Sequence, residues 1–321
     1  MMKRIVLIFF LALVAHAAGA EESFPTKPIR LIVPFGSGGP VDNISRVVAA
    51  KAAEKLGNAI VVENRPGAGG NVGTVVVKQA NADGYTLLVA GVSFVVNPFL
   101  YANAGYDAVK DFVPIRVIAQ YPQVMAVSPR VPVRDVKQLI ALSKEKPNEI
   151  NYGSAGIGTS GHLIMASFIA QSGAKMTHVP YKGGSTTLLG LLRGDVDVAV
   201  DGLPSFMDSA GLDNRVRIMG VSTAKPWPLA PTLPSIAQTA GLPDFDFSSW
   251  VMFLAPKGTP ANVVGRLAKA VDDSLSDPAV KERLKAMASL PVGTSVDTNQ
   301  FLRDESEKWG KIVRQSGAKV D

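Results

Sequence analysis

The chain of 321 residues has no cysteine and only three histidines. The first absence excludes disulfides, thiolate nucleophiles, thiolate metal sites and a lipid-modified N-terminal cysteine. Beyond residue 20 only His162 and His178 remain, with no carboxylate nearby at ligand spacing, so neither a metal nor a cofactor is expected. Charge is sparse as well: 19% of residues are Asp, Glu, Lys or Arg, and the signs are mixed, as in Lys281-Glu282-Arg283. Without a clustered basic stripe, a nucleic-acid partner is not expected. No apolar run after residue 15 approaches the ~20 residues that span a bilayer. Internal repeats and low-complexity tracts are absent too. What is abundant is apolar material, 47% of the chain. Domains cluster near ~100–150 residues, so this length and composition predict two cores.

The first twenty residues stand apart. Met1-Met2-Lys3-Arg4 is a short basic start, Ile5 to Ala15 is apolar, and Ala18-Gly19-Ala20 is a small-x-small cleavage pattern before Glu21-Glu22-Ser23. This reads as a secretory signal peptide cleaved near Ala20. The expected product is a free periplasmic protein of a diderm bacterium, held together by its cores alone.

After residue 20 the chain alternates short β-rich runs with helical stretches. Strands are expected at 29–33, 60–62, 86–89, 124–127, 150–152, 177–179, 196–200, 216–220 and 250–254. Helices are expected at 41–56, from 72, at 136–144, 159–170, 261–275, 278–288 and 298–316. The helix at 159–170 is apolar nearly all round and should be sandwiched. This alternation predicts an α/β fold with mostly parallel sheets. Dense Pro and Gly near Tyr121-Pro122 and from Trp227 to Pro234 mark two crossings. Two crossings imply residues 121–232 inserted into a domain built from 21–120 and 233–321.

Three loops sit between a strand and a helix, where open α/β sheets bind ligands. The first, Pro34-Phe35-Gly36-Ser37-Gly38-Gly39-Pro40-Val41-Asp42, exposes backbone N–H groups at a helix start and has no Lys or Arg between Arg30 and Arg46. It is either an anion site built from dipoles or a sharp turn that needs glycine. Asp42 is expected to cap the helix or to pair with Arg46 one turn on. The second, from Asn151 to His162, repeats the logic and adds the hydroxyls of Ser154, Thr159 and Ser160. It contains Gly156-x-Gly158-x-x-Gly161, the nominal dinucleotide fingerprint, but no acid occurs between Gly161 and Asp195 to hold a ribose. The third, Val179-Pro180-Tyr181-Lys182-Gly183-Gly184-Ser185, carries an aromatic and a cation at its tip. Lys182 is either a solvated loop lysine or a ligand contact. Asp201, after the run 196–200, is either a turn residue or a partner for a ligand amine or hydroxyl.

Catalysis is poorly supported. A Ser160–His162 dyad would need residues two apart on a helix to face each other, and no G-x-S-x-G elbow is present.

These loops, in this order behind a signal peptide, resemble the Bug family, the periplasmic substrate-binding receptors of tripartite tricarboxylate transporters. The resemblance runs from Phe24 to the C-terminus. It is carried by residues 24–35 (FPTKPIRLIVPF), Gly38-Gly39 and Asp42, by 62–71 (VENRPGAGGN) and 83–87 (DGYTL), and by Asn151 to Ser154, Gly161-His162-Leu163 and Val179 to Gly183. It implies a flytrap of two α/β domains joined by two crossovers and closing on a ligand. One ligand carboxylate would be pinched between the first two loops, partly through waters. Carried over, this makes the candidate ligand-binding residues Phe35, Ser37, Gly38, Gly39 and Asp42 in one jaw, and Ser154, Gly158, Thr159, Ser160 and His162 in the other. Ser93, Tyr181, Lys182 and Asp201 complete the set. Where the family often has Pro-Ala after the Tyr-Lys-Gly loop, this chain has Ser185-Thr186-Thr187.

The expectation is therefore a monomeric receptor, not an enzyme, for a di- or tricarboxylate, amino acid or aromatic acid, docking transiently on membrane permease subunits. The rivals are an exported hydrolase on the same scaffold and a binding protein that feeds a sensor kinase.

Overall fold

The computed structural model describes residues 24–207 and 216–320. The signal peptide expected at 1–20 lies outside the described residues. The strands are β1 (Ile29–Val33), β2 (Ile60–Asn64), β3 (Thr86–Ala90), β4 (Phe112–Val127), β5 (Ile150–Ser154), β6 (Met176–Pro180), β7 (Val198–Gly202), β8 (Arg217–Val221), β9 (Ser248–Pro256) and β10 (Leu290–Pro291). The helices are α1 (Pro40–Leu56), α2 (Asn71–Lys78), α3 (Val92–Leu100), α4 (Val136–Glu145), α5 (Ser160–Ser172) and α6 (Gly184–Arg193). They continue with α7 (Leu203–Met207), α8 (Ile236–Ala240), α9 (Ala261–Ser276), α10 (Pro278–Ala286) and α11 (Thr298–Ser316).

One curled sheet of order β2-β1-β3-β9-β4-β7-β5-β6 joins two α/β lobes. Each lobe has the helix-covered strands expected of it. Along β1 and β3 the side chains alternate between two buried faces. Leu31, Val33, Leu87 and Val89 pack with α1, α9 and α10, whereas Ile32, Leu88 and Ala90 pack with α2 and α3. Burial on both faces is why these runs lack a polar alternation. Helix α1 turns Ile44, Val48, Ala52 and Leu56 inward at four-residue spacing and stops at Gly57, whose φ of 71° suits the left-handed cap.

The sheet is less parallel than the alternation predicts. Pairs β1–β2, β1–β3, β5–β6 and β5–β7 are parallel, but β3–β9, β4–β9, β4–β7 and β4–β8 are antiparallel. The two long strands that link the lobes, β4 and β9, lie side by side in opposite directions, and each pairs antiparallel with the strands beside it. Strand β4 leaves the first lobe. Phe112 to Pro122 pairs with β9, and Gln123 to Val127 pairs with β7. On the way back, Trp227 packs among Leu191, Leu203 and Val221 of the second lobe, and β9 enters the first sheet from Ser248.

The last helix fastens both lobes. Helix α11 lies against α3 of the first lobe and α5 of the second, so the apolar α5 is sandwiched as its composition requires. Glu305 on α11 accepts from two buried indoles, Trp250 Nε1 at 2.7 Å and Trp309 Nε1 at 2.8 Å. Removing this acceptor leaves two buried donors unpaired, at about 1–3 kcal/mol each. Glu305→Ala should therefore lower the unfolding free energy by about 2–5 kcal/mol in chemical denaturation, and Glu305→Gln by less. An unchanged midpoint in Glu305→Ala would refute this role.

Candidate functional site

Between the lobes lies a cleft of about 870 Å³. Its walls follow the C-terminal ends of strands: Pro34 to Asp42 after β1, Gly91 to Ser93 after β3, Ala155 to Ser160 after β5, and Pro180 to Thr186 after β6. This is the ligand position of open α/β sheets, reached from both lobes at once.

Four helices point their N-termini into the cleft: α1, α3, α5 and α6. Their N-cap residues are Gly39, Gly91, Thr159 and Gly183, and none supplies a side-chain cap. The Thr159 hydroxyl instead donates to the Gly156 carbonyl at 2.7 Å. Away from the cleft α9 also starts uncapped, at Pro260, but four other helices do not. Asp135, Ser235, Asp277 and Asp297 cap α4, α8, α10 and α11 with their side chains. The first-turn amides facing the cleft are thus left for an incoming acceptor, and the helix dipoles favour an anion there.

Asp42 lines the cleft, but its charge is already matched. It accepts from Arg46 Nε at 3.0 Å, the Gly38 amide at 2.9 Å and Asn64 Nδ2 at 2.9 Å. Burial pushes this carboxyl up, and the bonds from Arg46, Gly38 and Asn64 outweigh burial to hold it below its ordinary value. Asn64 also donates to the Phe35 carbonyl at 3.0 Å, so the 62–71 segment braces the first loop. The other charged groups among the lining residues are Lys182, which is exposed, and Asp201.

Of the other candidate residues, Phe35, Ser37, Gly39, Ser93, Thr159, Ser160 and Tyr181 also line the cleft. Four candidate residues lie behind its wall instead. The Gly38 amide is taken by Asp42. Ser154 is fully buried, its hydroxyl 2.7 Å from His178 Nε2 and 3.1 Å from the Gly156 carbonyl. The Gly158 amide donates to His162 Nδ1 at 3.1 Å. His162 is stacked on His178, ring centroids 4.2 Å apart, and His178 on Tyr152 at 4.8 Å. Burial pulls both imidazoles down, and burial with His162 alongside takes His178 to about 4. Their role is to hold the second loop from behind. No Ser160–His162 hydrogen bond is formed among the described residues, in keeping with their two-residue spacing on a helix. Among the described residues the Ser–His bond is Ser154–His178, which offers no accessible nucleophile.

The floor of the cleft was not foreseen. Tyr121, Gln123 and Ser249 come from β4 and β9 at the crossing, and Gln123 Nε2 donates to Ser249 Oγ at 2.8 Å. The Gly67–Gly70 loop forms a further wall, anchored where Asn97 Nδ2 donates to the Gly69 carbonyl at 3.0 Å. Its glycine run was the available signal. The floor had none, because its residues meet through sheet pairing over more than a hundred positions.

Comparison with known proteins fits this geometry. A sequence profile described as "Tripartite tricarboxylate transporter family receptor" matches residues 44–318. The chain is similar to the periplasmic binding protein BugD, at 30% identity and a TM-score of 0.84, over 93% of this chain and 100% of that one. It is similar to Rpa4515 of R. palustris, solved with adipate, at 34% identity and a TM-score of 0.85, over 92% and 100%. It is also similar to MatC of Rhodopseudomonas palustris, solved with bound malate, at 28% identity and a TM-score of 0.83, over 90% and 100%.

Proposed function

Because the chain belongs to the tripartite tricarboxylate transporter receptor family, we propose that it captures a small carboxylate between its lobes and delivers it to a membrane uptake system. It is a periplasmic solute-binding receptor of that family and not an enzyme. The observation that carries the ligand class is the contrast in capping. Four helix starts facing the cleft lack a side-chain cap, while four of the helices elsewhere have one. A carboxylate placed among those amides supplies the missing acceptors.

The adipate and malate held by two of its structural relatives support the same class. Thr159 and Ser160 add hydroxyls on one side, and Ser37 and Ser93 on the other. Lys182 at the rim can receive a second anionic group. Closure of the lobes would exclude water and strengthen these bonds, and opening at the permease subunits would release the cargo. Removal of residues up to about Ala20 on export belongs to the same reading.

The test is a thermal-shift panel of mono-, di-, tri- and aromatic carboxylates on protein unfolded and refolded to strip retained ligand. At about 100-fold over its dissociation constant, a true ligand adds roughly 2.7 kcal/mol and raises the melting temperature by several degrees. The matching carboxamides should have no effect. Equal shifts from acids and amides, or a flat panel, would refute the carboxylate reading.

A further inference from the structure

Two acceptors at the floor of the cleft have no donor. Gln123, 2% exposed, gives its Nε2 hydrogen to Ser249, but its Oε1 is buried without a partner. Asp201 reaches the cleft from the end of β7. Its Oδ1 accepts from the Gly202 amide at 2.8 Å, and its Oδ2 is buried without a partner. Buried polar atoms are rarely left this way, and a pair in one ligand cleft requires an explanation. Both residues line the cleft at the end of the β4–β7 pairing, where Gln123 lies opposite Gly202 and Val124 opposite Asp201, so the two side chains leave the sheet on opposite faces. The small residues around Asp201 fix the arrangement. A Cβ on Gly184 would collide with Asp201 Oδ2, so the start of α6 presses its backbone directly against the carboxylate.

We propose that the floor of the cleft reads a hydrogen-bond donor on the ligand: the cargo carries, besides its carboxylate, a hydroxyl or amino group that donates to one of the two unpartnered oxygens, Asp201 Oδ2 or Gln123 Oε1. This rests on the carboxylate reading above and deepens it. Cargo that closes the cleft also displaces water from the floor. A plain acid would then leave both acceptors unpaired, or turn a second carboxylate against Asp201. A site built to accept from a ligand O–H or N–H rejects the analogue lacking it far more strongly than an apolar pocket rejects a missing methylene. Burial pushes the Asp201 carboxyl up to about 6 against the bonds from Gly202 and Ser205, which fits a group whose last donor comes from outside the chain. The selectivity is thus divided between two ends of the cleft, with amides for the carboxylate and bare oxygens for the donor.

The experiment is isothermal titration of the stripped protein with matched sets: succinate, malate and aspartate; glutarate, 2-hydroxyglutarate and glutamate; benzoate, 4-hydroxybenzoate and 4-aminobenzoate. In the set whose length fits, a donor-bearing member should bind at least about tenfold more tightly than the plain acid. Hydroxyl against amino within that set tells which donor is used. Where Asp201 Oδ2 is the acceptor used, Asp201→Asn keeps the shape and should collapse the ratio toward one, with the plain acid gaining. Where Gln123 Oε1 is used, Gln123→Met should do the same, so one poorly folding variant does not decide the matter. Equal binding within every set, or a ratio that both variants leave unchanged, overturns the inference while the carboxylate reading stands. No binding by any acid overturns both.

Discussion

Gly158→Ala should weaken ligand binding by about 10–100-fold while lowering the melting temperature of the ligand-free protein by only a few degrees. Gly158 belongs to the second lobe, and the side chain facing it, Leu100, to α3 of the first. A Cβ on Gly158 would collide with Leu100 Cδ2. The added methyl meets no ligand; it props the lobes apart. Overpacking of this size costs about 1–3 kcal/mol, and that falls on the arrangement in which the lobes touch. Apparent affinity then drops by the fraction of molecules still able to close. In the separated arrangement the methyl has only the backbone to contend with, where φ of +77° adds a smaller penalty. Leu100→Ala removes the obstructing atom. The double variant should therefore bind about as well as Leu100→Ala alone, a coupling that a double-mutant cycle measures directly. Unaltered affinity in Gly158→Ala would mean that the lobes need not meet there when ligand is bound.

The second large effect is a pair of opposed titrations. His178 has its imidazole pulled from an ordinary 6.5 to about 4 by burial and by the neighbouring His162. As pH falls through that interval the unfolded chain takes up the proton first, so stability is lost toward acid. The ring is partly exposed, which keeps the loss to about 1–2 kcal/mol. Asp201 does the reverse. Its carboxyl is pushed from an ordinary 3.8 to about 6. As pH rises through that interval the unfolded chain gives up its proton first, and stability is lost toward neutrality by about 2–3 kcal/mol. The two nearly cancel between pH 4 and 6, so the acid loss of the ligand-free protein there falls to other groups held low, among them His162, Asp42 and Glu63. His178→Gln keeps a nitrogen near Ser154 and removes the titration. It should make the protein more stable at pH 4 relative to the unaltered protein than it is at pH 7. Asp201→Asn should expose the acid loss instead. Denaturation midpoints at pH 4, 5, 6 and 7 for the three proteins check both. Parallel profiles would show that neither group titrates abnormally.

Much of this architecture was legible because it is local. Arg46 one turn after Asp42 on a helix predicts their ion pair, and the pair is there. The glycine-rich loops announce where strands give way to helices, and their residues form the walls of the cleft. What the sequence hid depends on distant partners. Helix α3 carries Pro98 in its interior and opens on Val92, Val95 and Val96, a composition that argues against a helix until the core of the first lobe is built around it. The first eleven residues of β4 contain Pro114 and Pro122, which mask a strand, yet they pair with β9. Ser154, Gly158 and His162 lie behind the cleft wall for one reason. Their polar atoms bond one another and His178, sixteen residues beyond His162, and only the folded sheet brings that imidazole behind the loop.

Strands β4 and β9 run side by side through the crossing, and Gln123 and Ser222 exchange further bonds beside them, Ser222 N to Gln123 O at 2.9 Å and Gln123 N to Ser222 Oγ at 3.0 Å. Seen as amide exchange with deuterated water, this divides the molecule sharply. Hydrogens in the crossing strands are locked in ladder bonds whether or not the cleft is filled, so their exchange should be slow and indifferent to cargo. The first-turn amides at residues 41–42, 92–93, 160–162 and 184–186 have no such partners and should exchange freely until an anion arrives. Occupancy would then appear as four short islands of slowed exchange, far apart in the chain, around a silent hinge.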